Sequence, residues 1–123
     1  MAKKLSFGEF IMAKRKALGI TQKQIADSLG ITAVYICDIE KDRRYPPTNG
    51  ELLPKIVEIL KLNNEDSSIF YDLAGFGKNC VSPDLAEYIM SSPVIRTALR
   101  IAKNKATGDD WQKFIKALEI QQV

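Results

Sequence analysis

Apolar residues recur along this chain at helical spacing, and residues that start or stop helices fence each run. Ser6 with Glu9 three residues on has the form of a capping box. It opens a helix to about Leu18 that buries Phe10, Ile11 and either Met12 or the Lys14 stem before Gly19 stops it. Thr21 with Gln24 opens a second helix, in which Ile25, Ala26 and Leu29 fall at i, i+1 and i+4 and form one narrow apolar stripe. Gly30 ends it, because the residue just past a helix often takes a positive φ that glycine reaches without steric cost. Thr32 caps a third helix at once, with Ile36 and Ile39 on a shared face and Thr32, Ala33, Cys37 and Asp38 largely outward.

The segment Tyr45-Pro46-Pro47-Thr48-Asn49-Gly50 cannot continue a helix. A fourth helix follows from about Glu51 to Leu60, and Asn63 or Asn64 caps a fifth through Ile69, Phe70 and Leu73 that Gly75 ends. Past a loop or hinge from Gly75 to Cys80, Ser82-Pro83 and Ser92-Pro93 each put a capping serine before a proline at the first helical position, where its missing N–H is harmless. These predict helices near 83 to 91 and 93 to 104, and Gly108-Asp109 opens a last one carrying Trp111, Phe114, Ile115 and Leu118. No β alternation of useful length occurs, so the fold class is all-α.

So few residues separate the second and third helices that they must cross steeply, with small Ala26 allowing close approach. Two capped helices joined by Gly-Ile occur in many helical domains, but this geometry is also the one that delivers a helix to the DNA major groove. More of the chain narrows the choice. Arg15, Leu18-Gly19-Ile20-Thr21-Gln22, Ile25-Ala26, Leu29-Gly30-Ile31, Tyr35-Ile36 and Ile39-Glu40, continuing to Leu52-Leu53, Ile56, Ile59-Leu60 and Leu73-Ala74-Gly75, resemble the phage-repressor and Cro-like (XRE) helix-turn-helix regulators.

That resemblance implies a lambda-repressor-like five-helix DNA-binding domain over residues 1–75, with a linker at 76–81 and a short helical C-terminal extension over 82–123. It implies double-stranded DNA as partner, bound by a homodimer, and an ion pair between Arg15 and Glu40 fixing the first helix to the third beneath the DNA-binding surface. The extension is too short for a stable core of its own, so its apolar face must pack on the first domain or on a second subunit. Its Ser-Pro helix starts, and Arg100 followed by an Asp-Asp-Trp helix, also resemble tails of such regulators, without indicating a ligand.

Net charge is only +3, too small to argue nucleic-acid binding alone, but it is unevenly spread. Residues 1–47 hold nine basic against five acidic side chains, whereas residues 48–75 hold two against five. Duplex DNA has phosphates on both sides of its groove, so bases are needed before and after an inserted helix. Lys23 and the amides of Thr21, Gln22 and Lys23 can meet one strand, since a helix N-terminus is itself an anion site. Lys41, Arg43 and Arg44 can meet the other. Lys3, Lys4, Lys14 and Lys16 read as a solvated face.

Early residues of the second helix of the pair face base edges, which selects Thr32, Ala33, Val34 and Asp38, with Cys37 close by. Relatives often carry Gln, Ser, Lys or Arg there, so Ala33, Val34 and Asp38 depart from the family pattern. Alanine, valine and the threonine methyl suit thymine methyl groups, while Asp38 either accepts from cytosine N4 or pairs with Lys41 or Arg44 and touches no base. Tyr35 either hydrogen-bonds a phosphate or packs its ring against the turn.

Other functions find little support. Histidine is absent, and no Gly-rich phosphate loop or nucleophile motif is present, which argues against an enzyme. Cys37 and Cys80 follow no metal-ligand spacing and predict neither a disulfide nor a zinc site; Cys37 reads as a small half-exposed residue rather than a redox switch. No apolar run approaches the roughly 20 residues that span a bilayer, and Met1-Ala-Lys-Lys-Leu5 lacks a signal-peptide stretch, so a cytoplasmic protein is expected, with no membrane partner. The rival to a repressor is a protein-interaction module, such as an antitoxin or anti-repressor partner, that has kept the fold and lost DNA binding.

Overall fold

The computed structural model describes residues 5–47 and 51–121. Among them are eight α-helices and no strand: α1 (Phe7–Ala17), α2 (Gln22–Leu29), α3 (Ala33–Glu40), α4 (Leu52–Ile59), α5 (Asn64–Lys78), α6 (Pro83–Met90), α7 (Pro93–Lys105) and α8 (Gly108–Ile120). Lys3, Lys4 and the Thr48-Asn49-Gly50 part of the predicted break lie outside the described residues. No described helix is long and apolar enough to cross a membrane. The chain divides into two compact units, Met1–Ala86 and Glu87–Val123.

In the first unit the caps act where the sequence puts them. Ser6 Oγ accepts from the Glu9 amide while Glu9 returns a carboxylate to the Ser6 amide, and Thr21 and Gln24 make the same reciprocal pair at the start of α2. Thr32 and Asn63 cap α3 and α5. Each such cap is worth about 1 kcal/mol, enough to matter in helices this short.

The apolar faces converge on Phe70 of α5, which is fully buried. Phe7, Phe10 and Tyr71 surround its ring at centroid distances of 5.1, 6.3 and 5.3 Å. Ile11 from α1, Ile25, Ala26 and Leu29 from α2, Ile36 and Ile39 from α3, Leu53, Ile56 and Leu60 at α4, and Leu73 and Ala74 from α5 complete the core among the described residues. α1 packs on α3 and α5, and α2 packs on α3 and α4. Helix α3 is thereby braced on its inner face and left open on its outer one.

Three expectations are corrected. Gly75 does not end α5, and the stretch 76–81 is not all linker: the helix runs on to Lys78, and Asn79 turns the chain in the left-handed region at φ 55°. Gly75 is buried instead where the chain returns, and a Cβ there would stand 2.8 Å from the Cys80 carbonyl oxygen. Ser82 sends its hydroxyl to the Asp72 carboxylate. Lys14 leaves the solvated face, donating to Asp66 at 2.9 Å with its ammonium 5.5 Å from the centre of the Phe10 ring.

The second unit is built from well-capped helices. Ser92 and Pro93 start α7, and Thr107 and Asp110 make a capping box at α8. The Arg96 guanidinium donates to the carbonyls of Ile89 and Met90, which α6 leaves unpaired at its end. Yet none of its described residues is buried.

Candidate nucleic-acid interface

The corner between α2 and α3 is closed by two backbone bonds. Gly30, at φ 72°, donates to Asp27 O, and Ile31 donates to Ala26 O. This is the Schellman pattern, which ends one helix and aims the chain into the next.

The far end of α3 repeats the device with a residue that sequence reasoning counted only as a charge. Asp42 sits at φ 58°, its amide donates to Ile39 O, and the Arg43 amide donates to Asp38 O at 2.8 Å. The Asp42 carboxylate then accepts from the Ser6 hydroxyl at 2.8 Å and from the Gly8 amide at 3.3 Å, tying the exit of α3 to the start of α1. Aspartate is among the few side chains that tolerate this backbone region, and that is the only signal the sequence carried.

Beneath α3 lies an ion pair with little access to water. Arg15 is 8 % exposed and Glu40 3 %. Arg15 Nε and Nη2 donate to the two oxygens of Glu40 at 2.6 and 2.9 Å, and Nη1 donates to Ile20 O at 2.9 Å. The hydrogen bond to Glu40 raises the Arg15 pKa above its ordinary value; burial opposes the rise and the Glu40 charge adds to it. Gln22 Nε2 also donates to Glu40 Oε1, at 3.0 Å, so α1, α2 and α3 meet at one carboxylate.

The outer face of α3 is open. Thr32, Ala33 and Val34 are exposed, Val34 at 69 %, while Cys37 and Asp38 are half-buried. Helical spacing sets Val34, Cys37, Asp38 and Lys41 on one side of α3, opposite Ile36 and Ile39. The Thr32 hydroxyl accepts from the Tyr35 amide.

Exposed cations precede and follow this face along the chain. Lys23 is exposed at the start of α2, and Lys41, Arg43 and Arg44 are exposed past α3. Arg43 Nη1 lies 3.7 Å from Asp38 Oδ1, so the aspartate pairs with neither Lys41 nor Arg44 as the sequence allowed, but with the arginine between them. The Arg44 guanidinium stands 4.3 Å from the centre of the Tyr35 ring. Of the three amides expected to face a phosphate, that of Thr21 is already taken by Gln24 Oε1 at 2.8 Å, because the capping box uses it.

This arrangement is matched by a family model described as a helix-turn-helix domain, over residues 8–73. The chain belongs to this helix-turn-helix family. The match begins at Gly8 in α1 and ends at Leu73 in α5, so it covers the braced α2 and α3 pair and the helices that support it. Comparison with curated proteins and with solved structures returns no match. The family's domain is of the DNA-binding kind.

Proposed function

We propose that the protein is a sequence-specific, non-catalytic transcriptional regulator of the XRE type, acting in the cytoplasm. It inserts α3 into the major groove of double-stranded DNA as a homodimer, and represses where the bound site overlaps a promoter. The observation that carries this reading is the exposed Thr32, Ala33 and Val34 surface at the start of α3, with exposed Lys23 before it in the chain and exposed Lys41, Arg43 and Arg44 after it. Lys23, the Gln22 amide and the three cations after α3 meet phosphates on the two strands, with the Arg15, Glu40 and Gln22 cluster holding the helices in register. The methyl groups of Thr32, Ala33 and Val34 suit thymine methyls, and Asp38 sets selectivity as the one acid on that face. Two copies of α3 about 34 Å apart would read a near-palindromic site.

The test is selection from a random duplex pool followed by mobility shifts across a salt series. Retention that weakens steeply with salt supports the regulator, because phosphate contacts release counterions. Absence of retention at low salt favours the interaction module, a reading that the 69 % exposure of apolar Val34 also accommodates. Arg43→Ala should weaken all sequences alike, whereas Val34→Ala should change sequence preference.

A further inference from the structure

The second unit presents an apolar stripe that is left about half exposed. Trp111, Phe114, Ile115 and Leu118 recur on α8 at i, i+3, i+4 and i+7 and are 40, 52, 47 and 46 % exposed. Trp111 already packs edge-on against Phe114, with centroids 6.0 Å apart. Two helices of 13 residues with no buried side chain cannot hold themselves folded in water.

We infer that the α8 stripe is the seam of a homodimer in which α8 pairs antiparallel with α8 of a second copy. This deepens the dimeric reading proposed above by locating its contact, and it does not depend on DNA binding.

Two arguments favour a second copy as the occupant. The first is area. Four side chains of this size, each about half exposed, offer on the order of 400 Å² of apolar surface. Interfaces are roughly 57 % apolar, so such a patch corresponds to about 700 Å² per copy. That approaches the ~800 Å² per partner of a standard stable interface.

The second argument is self-complementarity. A two-fold axis crossing α8 between Phe114 and Ile115 sets Trp111 against Leu118 of the second copy and Phe114 against Ile115. The aromatic half of each stripe then meets the aliphatic half of the other, whereas a parallel pairing would set Trp111 on Trp111. At the flanks, Asp110 faces Gln121 and Glu119 faces Gln112 of the second copy, so like charges do not meet.

The test uses the full chain. Sedimentation without DNA should give twice the chain mass of 13.8 kDa at micromolar concentration. Phe114→Lys with Leu118→Lys should return the single-chain mass. A wild-type protein that stays monomeric overturns the inference, and the stripe is then covered by the rest of the chain or by another protein. Direction is read by mild oxidation in a Cys37→Ser, Cys80→Ser background. Ile115→Cys lies at the axis and should cross-link to its counterpart. Trp111→Cys should not, because its counterpart is offset by seven residues, about 10 Å along the helix. Equal cross-linking at both positions, or at neither while the protein sediments as a dimer, overturns the antiparallel seam.

Discussion

The Arg44 guanidinium stacks on the Tyr35 ring, with 4.3 Å between the guanidinium carbon and the ring centre. Tyr35 is in the first turn of α3 and Arg44 lies past its end, so the stack folds a basic arm back along the helix and limits the rotamers of a long exposed side chain. Such a contact is worth about 0.5–1 kcal/mol at an exposed site. Tyr35→Leu should therefore weaken DNA binding roughly two- to fivefold while leaving its salt slope unchanged, since Arg44 keeps its charge. Tyr35→Phe should bind as wild type. A loss with phenylalanine equal to that with leucine would assign the effect to the hydroxyl and a phosphate, measured by fluorescence anisotropy across a salt series.

The Arg15 and Glu40 pair predicts a stability effect. Removing Arg15 leaves Glu40, 3 % exposed, with Gln22 Nε2 as its one remaining side-chain donor among the described residues. Breaking a buried pair at one partner costs about 3–5 kcal/mol. Arg15→Met should lower the Tm by more than ~10 °C in thermal denaturation. An unchanged Tm with weaker DNA binding would place Arg15 on the DNA instead.

Local chemistry is legible in the chain itself. The caps at Ser6, Thr21, Thr32 and Ser92 depend on residues two or three positions away, and the amphipathic stripes of α2 and α3 depend on helical period alone. What was hidden depends on distant chain meeting. Gly75 has the form of a helix stop, but whether it stops α5 depends on where Cys80 and Ser82 return. Lys14 finds Asp66 across 52 positions and Asp42 finds Ser6 across 36, and no spacing rule pairs them. On α3, the outward positions could be read, but which arginine Asp38 holds follows from the left-handed turn at Asp42.

That turn also fixes Gly8. A Cβ on residue 8 would overlap the Ile39 carbonyl oxygen and stand 2.7 Å from Glu40 O, both backbone atoms that cannot swing aside. Gly8→Ala should cost about 1–3 kcal/mol through overpacking, although alanine is the better helix former by roughly 1 kcal/mol at an open position. Chemical denaturation measures the change. A more stable variant would mean that α1 and the end of α3 are not in contact.

Asp38 is an acid on a face proposed to meet a polyanion. Its carboxylate lies 3.7 Å from Arg43 Nη1, and the arginine side chain is 62 % exposed, so the pair is weak in water and opens at little cost. In the free protein Asp38 offsets one of the cations that would hold phosphate at any sequence. On DNA it must either find a donor, such as cytosine N4, or stand unpaired beside phosphates. Both outcomes penalise the wrong sequence more than the right one. Asp38→Asn should raise affinity for unrelated duplex several-fold and steepen its salt slope by about 0.9, the value for one more phosphate contact. Affinity for a selected site should rise less, narrowing the ratio between the two. If Asp38 reads cytosine directly, the substitution also relaxes preference at one base position and costs about 1–3 kcal/mol there. An unchanged slope with unchanged preference would remove Asp38 from the recognition surface and leave it as a tether for Arg43.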